Sequence, residues 1–102
     1  MGQDVKLSHT AALILRTIEC GYFYGFDVMD VTGLPSGTVY PALRRLERDG
    51  LISAKWEDES IAAAGQRPLR RYYRVTRLGR QSLVRLVEKY PLLDRLVLAR
   101  KD

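Results

Sequence analysis

The sequence predicts a mainly α-helical fold with one small β-hairpin, and three observations lead there. Apolar residues recur at three- and four-residue steps within 8–20, 33–50 and 77–100, the one-sided spacing of amphipathic helices. Two stretches, 51–57 and 69–76, instead have strand character and flank a segment rich in small and polar residues. The chain has 102 residues, enough for one domain with a real but thin core, and such cores often gain stability by pairing with a second copy.

Taken in order, residues 1–7 read as a frayed start, and Ser8 is placed to cap a helix running to about Cys20, where Gly21 ends it. Ala11, Ala12, Leu15 and Ile18, joined by Leu13 and Ile14, make its apolar face broad. Such a helix belongs in the core or at a subunit contact. Tyr22, Phe23 and Tyr24 read most simply as core plugs at a tight connection. A short second helix is expected from about Gly25 to Val31, followed by a turn at Thr32, Gly33, Leu34 and Pro35.

The next stretch, GLPSGTVYPALRRLERDGLI (33–52), has an apolar stripe of Val39, Ala42, Leu43 and Leu46, with Gly50 as its stop. Pro41 falls where the helix should be under way. A proline there removes a hydrogen bond and presses its ring on the carbonyl four residues back, costing roughly 3 kcal/mol in a regular helix. That carbonyl belongs to Gly37, which can shift its peptide plane, so the start of the helix is expected to be bent or loosened. Two helices joined by a short glycine-containing turn, the second amphipathic and arginine-rich, form a helix-turn-helix pattern.

After Gly50, LISAKWE (51–57) and LRRYYRVT (69–76) read as the two strands of a wing, with DESIAAAGQRP (58–68) as a long flexible tip. In the return strand Arg71, Tyr73 and Val75 share one face and Arg70, Tyr72 and Arg74 the other, so one face carries charge outward. Thr76 can cap the last helical region, which Pro91 divides near Tyr90 from a second helix of about 91–100. Leu83, Leu86, Val87, Tyr90, Leu93 and Val97 form its stripe, with no partner evident within the chain. An unpartnered stripe signals association. The architecture expected is a winged helix-turn-helix over 1–76 with an additional C-terminal dimerisation element over 77–102.

Charge narrows the function. Net charge is +5, but no acid lies between Glu59 and Glu88, where Arg67, Arg70, Arg71, Arg74, Arg77, Arg80 and Arg85 give +7 against −2 for the remainder. Seven arginines and no lysine suit forked hydrogen bonding to phosphate, although a solvated basic face has the same composition. Cys20 is the only cysteine, which excludes an internal disulfide and a thiolate metal cluster; it reads as a small buried residue at a helix end. His9 is the only histidine and has no ligand set or nucleophile spaced to work with it, so neither an enzyme nor a cofactor is expected. The longest apolar runs are about five residues, against roughly 20 for a membrane span. With no basic-then-apolar leader, the expectation is a soluble, cytoplasmic protein.

LPSGTVYPALRRLERDGLI, a long hairpin and RRYYRVTRLGR together resemble the PadR family of bacterial transcriptional regulators, over nearly the whole chain. The resemblance implies that PSGTVYPALRRLE is a DNA-recognition helix whose bent N-terminal end, presented by Ser36, Gly37 and Thr38, enters the major groove. It implies that RRYYRVT is the return strand of the wing and that TRLGR opens a dimerisation helix, as in compact members. Pro91 and the longer, alanine-rich wing tip IAAAGQRPL depart from the family pattern.

On this reading double-stranded DNA is the partner, met by Ser36, Thr38, Tyr40, Arg44, Arg67, Arg70 and Arg71, and the protein is a homodimeric repressor of an inverted-repeat operator. Ser36 and Thr38 read equally as helix caps. Tyr40 and Arg44 lie opposite Val39, Leu43 and Leu46, whereas Arg45 and Arg48 read as solvated or paired with Glu47 or Asp49. The family also implies a small apolar or aromatic effector between subunits, for which Tyr90 and the C-terminal leucines are candidates if they do not simply pack. Trp56 is expected to pack in the core or in the hairpin. The alternative is a winged helix used for protein interaction, since fold does not fix function.

Overall fold

The computed structural model describes residues 7–93. The elements run α1 (His9–Glu19), α2 (Gly25–Thr32), α3 (Ser36–Arg48), β1 (Ile52–Trp56), α4 (Glu59–Ala64), β2 (Arg71–Val75) and α5 (Arg77–Lys89). Ser8 caps α1 by accepting a hydrogen bond from the Ala11 amide at 3.1 Å. The helix stops where Gly21 takes φ +105°, a conformation open to glycine and strained for other residues. Ala12, Ile14, Leu15 and Ile18 are fully buried, so the broad face sits in the core, packed against α2, α3, α5 and β2. Thr17 is equally buried, and its hydroxyl is satisfied by donating to the Leu13 carbonyl at 2.7 Å.

Helix α2 ends on Gly33 at φ +73°. Its Thr32 hydroxyl donates to the Val28 carbonyl and accepts from the Leu34 amide, closing the turn that leads into α3. Helix α3 buries Val39, Ala42, Leu43 and Leu46, the predicted stripe, and continues as one element through Pro41.

Strands β1 and β2 pair antiparallel with Ile52 opposite Val75, Ala54 opposite Tyr73 and Trp56 opposite Arg71. Ile52 and Tyr73 bury on the core side. The junction with α5 is tight: a Cβ on Gly79 would lie 2.1 Å from the Leu51 carbonyl oxygen. Thr76 locks that junction by donating to the Gly50 carbonyl at 2.6 Å and accepting from the Gly79 amide at 3.1 Å.

Several expectations are corrected here. The wing tip is not a flexible loop but contains α4, capped by Asp58, whose carboxylate accepts from the Ser60 amide and hydroxyl at 2.8 and 2.6 Å. Those bonds, the hydroxyl's first, hold the Asp58 pKa below the usual carboxylate range. Trp56 is not a core residue: it is 65 % exposed, with the Arg71 guanidinium across the hairpin 5.8 Å from its ring. Tyr22 and Tyr24 are half-buried rather than core plugs, and Tyr24 forms a bridge to Tyr72 along the outer edge of β2. The α5 stripe also has a partner inside the chain, because Leu83, Leu86 and Leu93 belong to the core and α5 lies on α1. Val87 and Tyr90 pack at its margin. Val97 and most of the helix expected at 91–100 lie outside the described residues.

Candidate nucleic-acid interface

The N-terminal end of α3 is built to remain open. Pro35 occupies the cap position and supplies no side-chain hydrogen bond. Its carbonyl accepts from the Thr38 and Val39 amides at 2.9 and 3.0 Å, leaving the amides of Ser36 and Gly37 at the positive end of the helix without an intrahelical acceptor. Ser36 therefore does not cap the helix; its side chain is exposed. A Cβ on Gly37 would meet nothing within 4 Å. No internal contact demands glycine there.

Behind this end, Tyr40 seats α3 on α2. A Cβ on Gly25 would come within 2.7 Å of the Tyr40 ring, so glycine is needed for the two helices to approach, and the ring remains 39 % exposed. Arg44, one turn further on, is exposed and makes no hydrogen bond or ion pair among the described residues. Arg48 pairs with Asp49 at 3.3 Å, the bland outcome expected for it.

The wing arginines are arranged differently. Glu57 is buried, and Arg67 grips both of its oxygens, through Nη1 to Oε1 and through Nη2 to Oε2 at 2.9 Å. The Arg70 amide donates to the same carboxylate at 3.3 Å, and the Arg70 guanidinium reaches it at 3.5 Å. Arg67's hydrogen bonds first, then those from Arg70, outweigh burial and hold the Glu57 pKa down to about 2. The same pairing raises that of Arg67. Arg71 pairs with Glu47 at 2.9 Å, which ties the return strand to α3.

The outer-face arginines lie on aromatic rings. Arg70 sits 4.2 Å above Tyr24 and Arg74 4.4 Å above Phe23, cation–π seats that fix a guanidinium without neutralising it. Tyr73, on the opposite face, is kept neutral to higher pH by burial.

A sequence model of the transcriptional regulator PadR-like family matches residues 14–85. The chain belongs to that family. The fold of this PadR-like protein matches a PadR family transcription regulator from Clostridium difficile at a TM-score of 0.72 and 23 % identity, over 87 % of this chain and 94 % of that one. It also matches smu.1704 from Streptococcus mutans at 0.70, with 26 % identity over 90 % and 85 % of the two chains. A PadR-like transcription factor from Bacteroides fragilis matches at 0.68, with 27 % identity over 83 % and 82 %. An uncharacterized protein from Lysinibacillus sphaericus is 26 % identical across 92 % of this chain and 89 % of its own length. Among the described residues no helix is long and apolar enough to cross a membrane.

Of the sequence-predicted contact residues, the fold gathers Ser36, Thr38, Tyr40 and Arg44 on α3 and separates them from Arg67, which closes the wing tip internally. Sequence reasoning missed Glu57, the residue around which the wing tip is organised. Its pairing with Arg67 spans ten positions, beyond any local pattern.

Proposed function

We propose that this PadR-like regulator is a cytoplasmic homodimeric repressor that binds an inverted-repeat DNA operator through the N-terminal end of α3. The observation that carries the reading is the open end itself: exposed Ser36 and Gly37, free amides, and an unpaired Arg44 two turns behind. Backbone donors and the helix dipole suit a phosphate, while Arg44 suits a guanine edge in the major groove. Arg70 and Arg71 follow the DNA backbone from the wing, and Arg67 supports them by holding the wing tip in shape.

The two-fold partner sits on the groove between α1 and α5, floored by Leu83, Val84 and Val87 and edged by Arg80 and Glu88. With Leu86 and Leu93 consumed in the core, Val84, 62 % exposed, is the apolar side chain best placed to meet a second copy. A small apolar or aromatic effector held between subunits, beside Tyr90, would turn the two α3 helices out of register and release the operator. The half-site centres should lie about 34 to 36 Å apart, or a multiple of that.

A footprint on DNA selected from random sequence, together with sedimentation, tests the reading. Two symmetric half-sites are expected, with a dimer at micromolar concentration that Val84→Asp splits without unfolding. Full affinity for a lone half-site, or a monomeric unmodified protein, would sink the symmetric repressor.

A further inference from the structure

Helix α2 carries an outer face that neither the core nor the DNA-reading end of α3 uses. The helix packs on α1, α3 and β2 and buries Gly25 and Val28. On the side away from Val28, Phe26 and Asp30 stand four residues apart, one above the other. Phe26 is 69 % exposed, more than any other large apolar side chain among the described residues, and Val31, next after Asp30, is 36 % exposed. The surroundings are acidic. Between Arg16 and Arg44 the chain has no lysine or arginine but has Glu19, Asp27 and Asp30, so this face repels the phosphates of DNA and suits a basic partner instead.

Asp30 also stands against its own helix. It lies in the last turn of α2, where the backbone already leaves partial negative charge and no basic residue balances it. The start of α5 is the mirror case: Arg77 opens the helix at its positive end, and its first turn contains no acid. Arg77 is exposed, and Leu78 after it is 43 % exposed. Neither Asp30 nor Arg77 forms an ion pair among the described residues. The chain thus presents two faces of matched chemistry, an acid with Phe26 on α2 and a base with Leu78 on α5, each charge opposed by its own helix dipole and unanswered inside the protein.

We infer that the outer face of α2 docks on the start of α5 of another copy of this chain, with Asp30 meeting Arg77 and Phe26 packing against Leu78. Bringing the negative end of one helix to the positive end of the other relieves both dipole conflicts and covers apolar surface at the same time. The two faces differ, so the contact is head-to-tail: it does not close on itself as a two-fold pair does, and it joins successive copies. It uses neither the α1–α5 groove nor the N-terminal end of α3. On neighbouring operators it makes binding cooperative.

Sedimentation of the full chain from micromolar to millimolar concentration, at low and at high salt, tests the contact. Assemblies larger than the micromolar species are expected to grow with concentration and to shrink as salt screens the exposed pair. Asp30→Arg and Arg77→Asp should each weaken that growth by roughly tenfold or more, because like charges then face each other. The double variant, which exchanges the two charges, should restore it, and Phe26→Ser should weaken it without a change of charge. A second arm measures binding to duplexes carrying one operator and two: each single variant should lose cooperativity on the double site and keep its affinity for the single one. A protein that binds neither duplex would sink the operator reading and leave sedimentation to decide the contact. No growth beyond the micromolar species would overturn the contact and leave the acidic face to a basic partner other than this chain. Growth that both charge variants leave unchanged, or that the exchanged pair fails to restore, would overturn it as well.

Discussion

Arg44 of helix α3 and the acid-bound arginines of the wing dispose of their charge in opposite ways. On α3, Arg44 extends from an exposed face without an ion pair among the described residues, and the helix begins without a side-chain cap. In the wing, Arg67, Arg70 and Arg71 each meet a carboxylate of the same chain. An unpaired charge beside free amides costs the fold a little and is ready for a ligand; a charge gripped by a buried acid builds structure and must exchange partners before it can bind anything. The lesson is that a net charge of +5 conceals at least two kinds of arginine. One kind holds the wing and the other faces outward.

Breaking the grip should give the largest effect. Glu57→Gln removes the charge that Arg67 and Arg70 share, so α4 should loosen and the amides of residues 58–68 should lose hydrogen-exchange protection while α1 and α3 keep theirs. The same loss should appear in the unmodified protein under acid. Because the Glu57 pKa is lowered from 4.5 to about 2, its stabilising contribution is fully present above about pH 4.5 and disappears as pH falls through about 2. Protection at 58–68 should therefore fall across that window in the parent and stay flat in the Gln variant. A parent wing that is indifferent to acid would show that Glu57 does not hold it.

The next effect separates the two kinds of arginine directly. Arg44→Ala should leave thermal stability unchanged and relax base preference by about 1 to 3 kcal/mol at one position of each half-site. Arg67→Ala should loosen 58–68 and weaken binding to all sequences alike. If Arg67→Ala instead lowers the salt slope by roughly one with the wing tip still protected, Arg67 is a direct phosphate contact and the contrast between the regions fails there.

This contrast was only partly legible in the sequence. The helices around the core were readable because α1, α3 and α5 repeat one period over ten or more residues, and their caps at Ser8 and Thr76 are local signals. Helix α4 was not, because six residues rich in alanine show no amphipathic period and a helix so short has little stability of its own. What holds it is Asp58 at one end and the Glu57–Arg67 pair across both. The α5 stripe announced that something covers it and was assigned from the sequence to a second copy; in the fold α1 covers it instead. For the binding residues, residue type located Arg44 and Arg67 equally well, yet only the three-dimensional position of Glu57 and Glu47 tells which charges are already met.

The smallest effect asks what Gly37 is for. Two demands are available: the fold needs glycine so that the peptide four residues before Pro41 can give way, or the ligand needs it so that the backbone can approach closely. A Cβ at Gly37 would meet nothing within 4 Å among the described residues, and α3 continues through Pro41 as one element, both of which favour the external demand. Gly37→Ala should then leave the melting temperature unchanged or raise stability by up to about 0.5 to 1 kcal/mol from the reduced entropy of the unfolded chain. Operator affinity should fall in the same variant, because the added methyl stands between the free amides and the DNA. A destabilised variant would assign the glycine to Pro41 instead. A variant that is stable and binds the operator with full affinity would remove the N-terminal end of α3 from the contact surface, and with it the half of the comparison that faces outward.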